Sequence, residues 1–314
     1  YLQGGKHLFL DEVHKYPTWS KELKEIYDLY PSLQIVFSGS SLLNILNADA
    51  DLSRRCLPYN MYGLSFREFL MFYKNIRIPV ASLQEVLENA GDICLGINEQ
   101  CRPVQMFNEY LHDGYYPFFT GNREDYYINI ENIVNLILEQ EMPLLCGVDP
   151  AYIRKLKALL SILASSVPYE VDITKLAGTI GLTRNSVITY LQNLDRAKLL
   201  KLLYSDLTSV KKMQKPDKIY LQNPNLLYAI ASTSVQIGTA RETFAISQLS
   251  VNHEIEYGKT QGDFVVDHKY TFEVGGADKT FKQIADLPDS FILADNIEYA
   301  TGKKLPLWII GLTY

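Results

Sequence analysis

HLFLDEVHKYPTWSKELKEIYDLYPSLQIVFSGS, residues 7–40, is the stretch whose reading decides the fold. His7-Leu8-Phe9-Leu10 reads as a short buried strand with two acids, Asp11 and Glu12, at its carboxyl end. From Ser20 to Tyr30 the spacing is helical, with Leu23, Ile26, Tyr27 and Tyr30 on one face, and Pro31-Ser32 stops it. Leu33 to Phe37 is a second β-rich run, ending in Ser38-Gly39-Ser40-Ser41. Strand, helix, strand is a βαβ unit, and both strands deliver polar groups to the edge where open parallel sheets bind ligands. Two adjacent acids there can hold magnesium and polarise a water. A strand ending in a solvated turn accounts for the same spacing.

Outside this stretch, composition sets the bounds. The chain has 314 residues, 47% of them apolar and 21% charged, which is globular and long enough for two or three domains. A net charge of -6 excludes a protein that coats nucleic acid over its whole surface, though not one with a local basic patch. Cys56, Cys94, Cys101 and Cys146 form no CxxC, which speaks against a zinc knuckle or redox dithiol and suits a reducing cytoplasm. No run of apolar residues is long enough for a membrane helix, so no membrane partner is expected.

Residues 63–148 read as helices: one starting at Ser65 with Glu68 completing a capping box, then Ala81 to Ala90, Val104 to Leu111 and Ile128 to Glu141. Pro150 to Ser165 is strongly periodic. Ile173 to Ile180, a glycine at 181, and Arg184 to Ala197 then make a helix-turn-helix, with Leu199 to Tyr204 and Lys218 to Leu221 pairing as a wing. From 183 to 218 there are eight Lys/Arg against three Asp, a basic stretch on an acidic chain. Arg184, Asn185, Ser186 and Thr189 stand where a recognition helix meets bases, and Lys211, Lys212 and Lys215 where a wing meets phosphates. Winged helices also serve as protein-binding modules, so duplex DNA and a protein both stand as partners.

Residues 238–314 change character. A helix from Thr239 to Leu249 precedes strands at 254–257, 262–266 and 270–274; a helix from Lys279 to Ala285, a strand from Ser290 to Ala294 and a last strand from Leu305 to Ile310 follow. This order matches a restriction-endonuclease-like core, whose Asp and Glu-x-Lys hold a metal and orient water. Asp263 and Glu273 fit the acids and Glu242 the helical acid, but Gly275 stands where the lysine belongs. Lys279 is long enough to reach back. The expectation is a vestigial nuclease site. Alternatively Asp263 is a turn acid and Glu273 an edge charge that blocks aggregation.

HLFLDEVHKYPTWSKELKEIYDLYP resembles the Walker B strand and following helix of AAA+ ATPases, and IVFSGSSLLNI their sensor-1 strand. DLSRRCLPYNMYGLSFREFL is similar to the arginine-bearing stretch of one bacterial and archaeal subgroup, which carries a C-terminal nuclease-like domain. The resemblance implies that Asp11 organises magnesium, Glu12 positions the attacking water, Ser38 or Ser40 senses the γ-phosphate, and Arg54 or Arg55 reaches a phosphate. It implies ATP and Mg as cofactors of the intact protein, and self-association, because AAA+ relatives often form rings. No GxxxxGK(S/T) occurs in the chain, so the phosphate-cradling loop is expected upstream of residue 1, and the chain by itself is expected to bind ATP poorly. The fold class expected is α/β multidomain: half of a P-loop core at 1–62, a helical lid at 63–148, a winged helix at 149–237 and a nuclease-like α/β domain at 238–314. The alternatives are a metal-dependent DNA nuclease and a non-catalytic adaptor that binds DNA or protein.

Overall fold

The computed structural model describes residues 4–39, 52, 54–166, 169–170, 172–205, 207, 215–231, 235–259 and 261–314. Ser40, Lys211 and Lys212 lie outside the described residues.

Strand β1 (His7–Leu10) pairs in parallel with β2 (Gln34–Phe37), with His7 opposite Gln34 and Leu10 opposite Phe37. Helix α1 (Trp19–Leu29) is the crossover. It buries Leu23 and packs Trp19 against Phe37, ring centroids 5.6 Å apart. The other sheet face is uncovered among the described residues: Phe9 and its register partner Val36 are 72% and 56% exposed.

Helices follow: α2 (Phe66–Lys74), α3 (Leu83–Asn98), α4 (Pro103–Asp113) and α5 (Arg123–Leu136). Ser65/Glu68 and Ser82/Glu85 form reciprocal capping boxes that start α2 and α3. A π-helical turn, Ile137–Glu141, carries α5 into α6 (Met142–Cys146). Pro143 is the physical cause: it has no N–H for the carbonyl four residues back, and its ring crowds that carbonyl. A groove of about 150 Å³ opens between α5 and the residues around Lys198, with a mostly apolar lining that includes Ile130, Ile133 and Leu226.

Helix α7 (Ile153–Ser166) leads to a compact unit. Its parts are β3 (Tyr169–Glu170), α8 (Ile173–Ile180), α9 (Arg184–Arg196), β4 (Leu200–Leu203) and β5 (Lys218–Leu221). The three strands form an antiparallel sheet in the order β3-β5-β4. Asp172 caps α8, and Gly181 ends it at φ 64°, a left-handed conformation that glycine adopts without strain. Thr183 caps α9.

Helices α10 (Pro224–Ile230) and α11 (Ile237–Leu249) precede a five-stranded sheet. Its strands are β6 (Ile255–Tyr257), β7 (Phe264–Val266), β8 (Tyr270–Gly275), β9 (Ser290–Ala294) and β10 (Lys304–Pro306). The order is β10-β9-β8-β7-β6, antiparallel from β6 to β8 and parallel from β8 to β10.

Two expectations fail here. No helix spans Lys279 to Ala285; only a 3-10 turn, Phe281–Gln283, forms. The Lys279 carbonyl, which a helix would bond to the N–H four residues on, instead accepts from the Lys304 ammonium at 3.1 Å. The Ile284 and Leu287 carbonyls accept from the Ser290 hydroxyl. The last strand stops at Pro306, and Leu307–Leu312 is a 3-10 helix. That segment is buried on every side, so its apolar run carries no period to separate strand from helix.

Buried apolar residues drawn from Phe66 to Leu312 share one main hydrophobic core, and Ile284, Ile292 and Ala294 form a small second cluster. The terminal 3-10 helix packs against α2, α3, α4 and α11. Phe66, Phe107, Tyr110 and Phe244 interlock there edge to face. Polar bonds sew the same place. Tyr314 accepts at its carbonyl from the Ser65 hydroxyl (2.9 Å) and Arg67 Nε (2.8 Å), and donates its own hydroxyl to the Gly63 carbonyl (3.0 Å). Gln248 donates to the Tyr110 hydroxyl at 3.0 Å and accepts from the Phe66 N–H at 3.3 Å. No helix among the described residues is long and apolar enough to cross a membrane.

Candidate functional site

Because β1 and β2 are parallel and in register, their carboxyl ends meet. The Ser38 N–H donates to the Leu10 carbonyl (2.8 Å) and the Ser38 carbonyl accepts from Val13 (3.0 Å). That fixes the Ser38 hydroxyl between two groups. It donates to Asp11 Oδ1 and accepts from the Glu12 N–H at 3.1 Å. Glu12 sits in the left-handed region at φ 56°, which turns its carboxylate along the chain to Lys15 Nζ at 2.9 Å, with His14 Nε2 at 3.8 Å. The contact holds the Lys15 ammonium above its ordinary pKa. Asp11, Glu12 and Ser38 are therefore brought together at one solvent-facing edge. The Ser38 hydroxyl thus fixes the Asp11 carboxylate and the Glu12 backbone at this edge, while the Glu12 carboxylate is engaged by Lys15.

Arg55 is placed elsewhere. Its guanidinium makes a bidentate pair with Asp28 on α1, Nε to Oδ1 at 2.9 Å and Nη2 to Oδ2 at 3.1 Å. Arg54 is exposed.

In the helix pair, Arg184, Asn185 and Thr189 are exposed on the first turns of α9. Ser186 is engaged internally: its N–H donates to Thr183 Oγ1 at 3.1 Å, and the two hydroxyls lie 2.8 Å apart. Lys215 is exposed at the foot of the hairpin loop.

The third cluster joins elements distant in sequence. Glu242 on α11 stands close enough to Asp263 and Glu273, around β7 and β8, for both to disfavour its charge. Burial first, and then Asp263, push the Glu242 carboxyl above its ordinary pKa; Tyr220 and Lys218 oppose that. Burial also raises Glu273, against the effect of Lys279. Asp263 accepts from the Val274 N–H at 2.8 Å. Lys279 does reach back, and its ammonium pairs with Glu273 Oε1. Gly275 makes that possible. A Cβ there would fall 2.7–2.8 Å from the aliphatic stem of Lys279, so the missing side chain is the space that the lysine runs through. Yet among the described residues no group of three or more His, Cys, Asp or Glu is arranged to hold a metal ion.

Sequence reading passed over Lys218 and Tyr220 as members of this cluster. The Tyr220 hydroxyl donates to Glu242 Oε2 at 2.7 Å, and Lys218 Nζ stands 3.8 Å from the same oxygen. Lys218 counts in the basic stretch, but nothing local says that it faces inward.

Residues 1–70 match a sequence-family model described as an AAA domain, and residues 104–236 match one described as a domain of unknown function. Uncharacterized protein MJ1637 of Methanocaldococcus jannaschii is 28% identical over 217 residues, 68% of this chain and 45% of its own length. Uncharacterized protein MJ1544 of the same organism is 26% identical over 213 residues, 64% of this chain and 44% of its own length. The chain thus spans less than half the length of these curated relatives. No solved structure matches. The N-terminal segment is AAA-like, the class of domain that binds nucleotides, and it is the segment that carries Asp11, Glu12 and Ser38.

Proposed function

We propose that the chain belongs to an ATP-hydrolysing AAA-type protein, in which residues 4–39 supply the water-positioning side of the nucleotide site. The observation that carries this reading is Ser38 bonded both to the Asp11 carboxylate and to the Glu12 N–H, at the joined carboxyl ends of two parallel strands. Asp11 would hold magnesium, which supplies charge neutralisation to the phosphates when bound. The phosphate-cradling loop is supplied by sequence outside these residues. The unit from α8 to β5 is a winged helix whose partner is duplex DNA, and residues 238–314 are a nuclease-like unit that binds rather than cuts. Gly275, standing where the nuclease pattern has its lysine, supports that last point.

The test is magnesium-ATP calorimetry and phosphate release, on this chain and on a version extended upstream through the P-loop half. The extended protein binds and hydrolyses; this chain does neither. Glu12→Gln keeps binding and lowers hydrolysis about 100-fold or more, the usual size of a lost general base. Wild-type turnover by that variant would remove Glu12 from the role. So would absence of ATP binding by the extended protein.

DNA binding has its own measurement. Fluorescence anisotropy with a labelled duplex gives the slope of log K against log salt. Replacing Lys211, Lys212 and Lys215 together with alanine reduces the magnitude of that slope by about 3, roughly one for each phosphate that is no longer neutralised. An unchanged slope would leave the loop without a role in binding.

A further inference from the structure

Lys218 is the first residue of β5 and pairs with Leu203, the last of β4, so it closes the outermost rung of the hairpin. The connecting residues, 204–217, leave from this rung. Its ammonium does not face solvent: the side chain is 11% exposed. It lies 5.1 Å from the centre of the Tyr257 ring, 5.8 Å from that of Tyr220, 3.3 Å from the Tyr220 hydroxyl and 3.8 Å from Glu242. Tyr257 belongs to β6 and Glu242 to α11, so the lysine crosses from the helix-turn-helix unit into the C-terminal unit. A backbone bond runs beside it, Tyr257 N–H to the Tyr204 carbonyl at 2.9 Å.

Charge explains why the ammonium stays. Glu242, Asp263 and Glu273 are three acids in a partly buried cluster, and two of them resist ionisation. Lys279 is taken up by Glu273. Lys218 is then the cation beside Glu242, and two aromatic faces favour it further.

We propose that Lys218 is a latch. Its ammonium, caged between Tyr257, Tyr220 and Glu242, fastens the hairpin to the C-terminal sheet. While it is seated, the hairpin strands and the sheet move as one body. A force that draws the loop outward must first pull Lys218 from the acidic cluster. The acidic residues at this place are thereby an ionic clasp between two units. This reading stands whether or not the loop meets DNA.

Amide hydrogen exchange by mass spectrometry on the full chain tests it. Lys218→Met speeds exchange about tenfold in peptides covering 200–204, 217–221 and 255–257, which corresponds to about 1.4 kcal/mol of local opening. Peptides within 83–98 keep their protection. Lys218→Arg restores the hairpin, because the guanidinium also stacks on the rings and pairs with Glu242. Glu242→Gln loosens the same peptides, so the result does not depend on one variant folding. Unchanged hairpin exchange in both variants would overturn the latch, and so would acceleration spread evenly over the chain.

Discussion

Asn225→Leu lowers the unfolding free energy by about 3–5 kcal/mol, although the side chain it removes is small and neutral. Asn225 is fully buried and uses all of its bonding capacity. Its Oδ1 accepts from the Tyr115 N–H at 2.7 Å and the Tyr126 hydroxyl at 2.6 Å. Its Nδ2 donates to the Tyr110 and Leu111 carbonyls at 3.0 and 2.9 Å. Those two carbonyls belong to the last turn of α4, where a helix has no partners of its own to offer. Leucine fills the volume and bonds to none of these groups. Tyr110 keeps a bond from the Gly114 N–H, but the Leu111 carbonyl and the Tyr115 N–H are stranded in the core at about 1–3 kcal/mol each. Tyr126 loses the acceptor for its hydroxyl, and burial already holds that hydroxyl far above its ordinary pKa. Urea unfolding measures the loss. Tyr126→Phe, which removes one of the four bonds and also the one that the Tyr126 hydroxyl accepts from the Tyr116 N–H at 3.1 Å, costs about 1–3 kcal/mol. Asn185→Leu, on the exposed start of α9, stays within about 0.5 kcal/mol. Because Asn225 ties α4 and α5 to α10, the loss falls on one cooperative transition for residues 66–312. A loss below about 1 kcal/mol would mean that the four bonds do not hold these helices together in this way.

What the sequence makes legible is local. The strand-helix-strand at 7–37 is readable because each part declares itself within ten residues: an apolar run, acids at its end, helical spacing, then a proline. Ser65 with Glu68 announces a helix start for the same reason, and Asp172, Gly181 and Thr183 mark the ends of α8 and the start of α9. The pairing of the acid edge with Ser38 is also within reach, since a βαβ unit fixes both strand directions. Partners far apart in the chain are not legible. Arg55 reads as a phosphate ligand, but Asp28 on α1 takes its guanidinium. Lys218 reads as a solvated charge until the register of the hairpin and the position of α11 are known. Asn225 lies in the first turn of α10, a helix the sequence reading did not mark, and its carboxamide works on residues more than a hundred positions upstream. Glu242, Asp263 and Glu273 are readable as a set of acids, but the space at Gly275 that admits Lys279 exists only in three dimensions.

Gly311→Ala costs about 2–3 kcal/mol, for a purely steric reason. A Cβ at this position would lie 2.4 Å from Phe66 Cβ, 3.3 Å from Phe66 N and 3.2 Å from the Phe244 ring. The nearest of these atoms cannot swing aside. Phe66 Cβ is attached directly to a backbone held by the Ser65 capping box and by the Phe66 N–H bond to Gln248. Gly311 has no positive φ, so alanine is acceptable to the backbone and would alone add about 0.4–1 kcal/mol by restricting the unfolded chain. Overpacking a fixed core costs about 1–3 kcal/mol or more, and here it outweighs that gain. Gly96 is the matched control: it lies in α3, is exposed and would meet nothing within 4 Å. Gly96→Ala raises stability by about 0.5–1 kcal/mol through helix propensity. Thermal melts of the two variants therefore move in opposite directions. Phe66→Ala does not rescue Gly311→Ala, because the clashing carbon survives that substitution. A Gly311→Ala melt at or above the wild type would show that the C-terminal turn does not close on α2 as described, and with it the main core from 66 to 312 would fall.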